Sequence, residues 1–151
     1  SKIHRLARRL IAARSAADLL DSLEGSLRED FGASEWLLLV APGQNSALRS
    51  VEASRHLRLI EAKALEWKMF EALFEAAKPR CGQIRDSQRD FLFGVGTIEI
   101  GSAALVPLGK DSSAGLLAVG SPDAERFHPA MSTDFLARIG ELVSEALGAV
   151  S

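Results

Sequence analysis

Cysteine is almost missing from this chain: among 151 residues only Cys81 carries a thiol. A single thiol excludes an internal disulfide and a cysteine-rich metal cluster. Long apolar runs are missing too. The longest candidate, Trp36 to Val40, is strand-sized and falls far short of the roughly 20 residues that cross a bilayer. The N-terminus opens on charges and lacks the apolar core of a signal peptide, so the chain reads as cytoplasmic. No one sign of charge dominates. A formal net charge of −2 argues against direct nucleic-acid binding by a strongly basic surface.

Signatures of catalysis are equally scarce. His4, His56 and His128 are scattered, with no second ligand at helical or zinc-finger spacing. His128, between Phe127 and Pro129, is expected to make a capping contact. No serine occupies a G-x-S-x-G elbow, and no GxxxxGK[ST] loop is present. Gly94-Val95-Gly96-Thr97-Ile98-Glu99 starts like a GxGxxG phosphate cradle. Glu99 stands where the third glycine belongs, and its carboxylate would repel a pyrophosphate, so the segment reads as a connector. No catalytic residue, metal or cofactor is expected.

What is present is an ordinary globular composition, 47% hydrophobic and 25% charged. A chain of about 150 residues buries close to 70% of its unfolded surface, enough for one unstapled domain. The charge is unevenly spread. Residues 1–14 hold Lys2, Arg5, Arg8, Arg9 and Arg14 without an acid, a local +5, so the remainder carries −7.

Ile3, Leu6, Leu10 and Ala13 fall on one stripe at helical spacing. Ser15 with Asp18 forms a capping-box pattern, and Leu19, Leu20, Leu23, Leu27 and Phe31 continue at intervals of one to four residues up to Gly32. This predicts two helices, or one jointed near Ser15. Glu35–Ala41 reads as a strand ended by Pro42-Gly43, and Ala47–Glu52 as its hairpin partner. Residues 53–63 are ambiguous. Ala64–Lys78 has a helical pattern stopped by Pro79, and 80–84 is a short extended piece. Ser87 and Asp90 suggest a second capping box, opening a short helix through Phe91 and Leu92. Ser102–Leu108 and Ala114–Gly120 are apolar strands joined by the turn-rich 109–113, and such strands are covered on both faces. Pro129–Ala149 is the last helix. The order predicts an α+β fold: an antiparallel sheet of five to six strands with helices on both faces, terminal helices on one side and residues 64–93 on the other. Residues 1–14 form a linker or dimerisation helix and 15–151 the domain.

Trp36, Trp67, Phe70, Phe74, Phe91 and Phe93 gather in the segment placed against one sheet face. Either they are core or they line a small-molecule pocket, for which Arg85, Arg89 or Ser102 would supply polar anchors. Cys81 follows Lys78 and Arg80, whose charge would favour a reactive thiolate, or else it is a small buried hydrophobe. The basic first helix has three readings: phosphate contacts, a membrane surface, or a homodimer built on Ile3, Leu6 and Leu10. The third is preferred, with Phe135, Ile139 and Leu142 of the last helix as its companions.

Gly115 to Ser121 followed by Arg126-Phe127-His128-Pro129, with Lys78 to Gly82 and Gly101 to Leu108, resembles the GAF domain. More narrowly, Ala7 to Arg14, Lys78 to Gly82 and Gly101 to Ala104 resemble domain-of-unknown-function family 484, nearly end to end. The resemblance implies a GAF/PAS-like sheet and a sensory or regulatory role. Genes of that family often neighbour a tyrosine recombinase, which implies a protein partner by association. The Asn-Lys-x-Asp-Glu signature of cyclic-nucleotide GAF domains is absent, and Cys81 lacks a bilin-attachment context. The expectation is a non-enzymatic, homodimeric sensory domain holding a small molecule between the sheet and residues 64–93. A ligand-free scaffold for a DNA-recombination partner and a Cys81 redox sensor are the alternatives.

Overall fold

The computed structural model describes residues 1–43, 46–95, 99–109 and 115–150. Two helices open the chain, α1 (Lys2–Ala12) and α2 (Ala16–Glu29). They are separate because Ser15 adopts an extended backbone and its hydroxyl accepts from the Asp18 amide, capping α2. Gly32, in the left-handed region at φ 68°, turns the chain out of α2.

Strand β1 (Glu35–Val40) follows, then a single helical turn, α3 (Ser46–Arg49), and β2 (Leu57–Leu59). A 3-10 segment (Leu65–Phe70) leads into α4 (Glu71–Ala76), which stops at Ala77, held at φ 55°. Then come β3 (Arg80–Gly82), α5 (Asp86–Phe93), β4 (Ser102–Leu108), β5 (Gly115–Ser121) and α6 (Asp134–Ala149).

The fold is α+β, with one five-stranded sheet in the order β2-β1-β5-β4-β3. The pairs β1–β5, β5–β4 and β4–β3 are antiparallel. The edge pair β1–β2 is parallel, with Leu38 opposite Leu57, so the sheet is mixed. Here the expected hairpin partner at Ala47–Glu52 is corrected. Those residues form the turn of α3 and the bends after it, inside the crossover that a parallel pair requires. The ambiguous stretch supplies the strand instead. Two further boundaries move. Arg85, not Ser87, is the N-cap of α5, and its backbone amide donates to the Gln88 side chain. Helix α6 starts at Asp134, after a turn at 129–130 and a bend at 131.

Alternation through the strands separates two cores. Trp36, Leu38, Val40, Ala104, Val106, Leu117 and Val119 face α1, α2 and α6. Leu37, Leu39, Leu105, Leu116 and Ala118 face Phe70, Leu73 and Leu92 of the 64–93 segment. Burial on both faces explains why β1, β4 and β5 read as nearly continuous apolar runs without the polar alternation of a half-exposed strand. Gly140 lets α6 lie close on the sheet: a Cβ there would come within 2.8 Å of Val106 Cγ1. The GxGxxG-like residues 96–98 and the 110–114 turn lie outside the described residues.

Candidate functional site

The terminal helices form one layer. α1 is held by burial and by charge. Leu6 and Leu10 enter the core, Arg5 pairs with Asp30 at 2.7 Å, and Arg9 reaches Ser26 at 3.1 Å and Glu29 at 3.7 Å. Two of the five basic side chains of residues 1–14 are thus engaged by α2. Ile11, one residue after buried Leu10, is 82% exposed. It stands on the wall of an open groove of about 410 Å³ between α1 and α6, lined also by Ala7, Leu142, Ala146, Ala149 and Val150. Arg138 and Glu145, on the exposed side of α6, rim it. This is an apolar concavity with charged edges, the composition of a surface that another helix can cover.

The expected interface residues divide here. Leu6 (0% exposed), Leu10 (6%) and Ile139 (1%) are buried in the core of the subunit itself. Phe135 stacks on Phe31 with ring centroids 6.1 Å apart, and Ile3 packs half-buried on the same core. Of the six, Leu10 and Leu142 line the groove. Ile11 escaped the sequence reading because it lies off the helical stripe. A large aliphatic residue alone on the basic face was the signal available.

On the opposite face the structure brings Trp67, Phe70, Phe74 and Phe91 together. Trp67 and Phe74 meet edge to face at 5.7 Å, and Phe70 and Phe91 lie tilted at 6.2 Å. Arg85 and Gln88 both donate to the Met69 carbonyl, tying α5 to the 3-10 segment. Arg89 pairs with Asp86 and Asp90. The missed residue is Arg58 of β2. Its Nη1 donates to the Phe91 carbonyl at 2.6 Å, and its guanidinium lies 4.9 Å from the centre of the Phe91 ring. Burial pushes its pKa down. Among the described residues no carboxylate pairs with it.

Three expected pocket residues lie elsewhere. Trp36 sits on the terminal-helix side of the sheet, since its parity in β1 matches Leu38 and Val40. Its indole donates to Glu24 and stacks on His56, 4.2 Å away with rings 2° from parallel. His56 Nδ1 donates to the Trp36 carbonyl at 3.0 Å. Its Nε2 lies 3.2 Å from Glu24 and 3.3 Å from Arg55 Nε. Arg28 completes the group by donating to Glu24 and to the Ser34 carbonyl. Cys81 packs half-buried against the terminal-helix core. Burial raises its thiol pKa, opposite to the effect expected from Lys78 and Arg80. Ser102 is fully engaged: its hydroxyl donates to the Asp123 carbonyl at 2.7 Å and accepts from the Phe127 amide at 3.0 Å. It borders a polar cleft of about 150 Å³ with Asp86 and Arg89.

His128 accepts from the Ala130 amide at 3.0 Å in the turn before α6, so it caps that turn and not the helix, whose N-cap is Thr133. Among the described residues no group of three histidine, cysteine or acidic side chains could hold a metal ion. Nor is any helix among them long and apolar enough to cross a membrane.

No curated protein matches the chain. The family described as "Protein of unknown function, DUF484" matches residues 1–150. Together with the stretches at 7–14, 78–82 and 101–104, that end-to-end match means the chain belongs to this family.

Proposed function

We infer that this chain is a non-enzymatic regulatory domain of GAF-like type that acts by association through its terminal-helix layer. The observation that carries the reading is the open apolar groove between α1 and α6, with Ile11 82% exposed on its wall. Large aliphatic side chains left in water beside an unfilled apolar concavity mark interaction surfaces. Engagement of Arg5 and Arg9 by α2 takes charge away from the phosphate-binding alternative for this helix. A raised thiol pKa likewise weighs against Cys81 as a redox nucleophile.

Arg58 supports a second, compatible reading. A half-buried guanidinium over the Phe91 ring, with no acid paired to it among the described residues, suits a small anionic ligand held between the sheet and residues 64–93. A ligand there could act on the terminal helices only by binding one of their arrangements better than another.

Native mass spectrometry of the fresh protein, beside a denatured sample and an Ile11→Glu variant, tests both readings. Association that Ile11→Glu abolishes is the expected result. A non-covalent extra mass lost on denaturation would report the ligand. Association that survives Ile11→Glu would sink the assignment of this face.

A further inference from the structure

We propose that the occupant of the α1/α6 groove is a second copy of this chain, with α6 running antiparallel to α6 of the partner subunit about a two-fold axis beside Leu142. The proposal rests on the association reading above and adds the partner and its geometry. On α6 the residues Arg138, Leu142, Glu145 and Ala149 recur at intervals of four, three and four, so they share one stripe along the groove. Arg138 and Glu145 are seven residues apart, about 10.5 Å along the axis at 1.5 Å per residue. Their midpoint falls at Leu142.

Two copies can meet along that stripe in two ways. A parallel pair sets Arg138 beside Arg138 of the partner subunit and Glu145 beside Glu145 of the partner subunit, which repels at both ends. Reversing one helix sets each Arg138 against Glu145 of the partner subunit, so one complementary pair forms on either side of the axis. A two-fold interface must be self-complementary in this way, each residue's contact being returned by the other subunit. Among the described residues of the subunit, Arg138 bonds only to Glu141, at 2.9 Å, and Glu145 meets no cation. Leu142 lies between these charges, and Ala146 and Ala149 keep the stripe shallow beyond Glu145, allowing close approach of helix backbones there. Ile11 of each subunit then covers the small side chains of the other, and the exposed aliphatic surface leaves water.

Sedimentation velocity across a concentration series, on the wild-type chain, Arg138→Glu, Glu145→Arg and the double exchange R138E/E145R, tests the arrangement. In a symmetric pair each single reversal turns two attractions into repulsions. Dimerisation is expected to weaken roughly tenfold in each single variant and to recover in the double variant, which would also show that the singles fold. Unchanged dimerisation in both singles, or no recovery in the double, overturns the antiparallel register. In that event an effect of Ile11→Glu would still uphold association through this face. A wild-type monomer throughout overturns the second copy as occupant and assigns the groove to a different partner.

Discussion

Glu24 concentrates most of the polar chemistry of the terminal-helix core. Burial opposes its charge, but hydrogen bonds from Trp36 and Arg28, with the positive charge of Arg28 and His56, outweigh burial and hold the carboxyl below its ordinary value of 4.5. A carboxyl depressed in the folded state stabilises the fold above its unfolded pKa. It loses that contribution as pH falls through the folded one. Thermal unfolding between pH 7 and pH 3 should therefore show a progressive loss of stability below about pH 4.5, partly removed in Glu24→Gln. At neutral pH that variant should cost about 1 kcal/mol, a figure discounted for partial exposure. An identical pH profile in the two proteins would refute the assignment. At this scale the sequence was least informative. Glu24, Trp36 and His56 come from a helix, a strand and a loop, and only the fold makes them neighbours.

The elements differ in how far they could be read. α1 and α2 follow directly from apolar spacing and the Ser15 cap, and β4 and β5 from continuous apolar runs between turns. β2 could not be read, because three residues, Leu57-Arg58-Leu59, carry no period and gain their strand identity from lying beside β1. Uniform apolarity hides a second fact. Every residue from Trp36 to Val40 is buried, so side-chain type could not say that Trp36 and Leu37 point to opposite faces. Placing Trp36 with Phe70 followed from that ambiguity. Within α1, adjacent turns should respond very differently to truncation. Leu6→Ala removes a fully buried side chain and should cost about 2–5 kcal/mol in urea unfolding. Ile11→Ala, measured with subunits diluted apart, should shift stability by no more than about 0.5 kcal/mol. Equal costs would mean that Ile11 is buried within the subunit.

For the whole molecule, the proposed self-association would couple stability to concentration. A state that only the folded chain can enter raises the melting temperature as protein is added. Differential scanning calorimetry from micromolar to hundreds of micromolar should show that rise for the wild-type chain and a flat response for Ile11→Glu. A flat response in both would remove the dimer. The three-layered architecture itself was legible, because apolar strands bounded by amphipathic helices at both ends and in the middle leave few other ways to cover a sheet.

The strand order carries a consequence for how the chain is made. β5 (Gly115–Ser121) lies at the centre of the sheet, yet it is the last strand in sequence. β1, the first to leave the ribosome, finds its long antiparallel neighbour only when residues 115–121 emerge. Until then Trp36 to Val40 has just the three-residue β2 to pair with. Contacts so far apart in sequence slow folding and prolong exposure of apolar strands. Synthesis of this protein therefore passes through an interval in which the apolar segment Trp36 to Val40 waits for its principal strand partner.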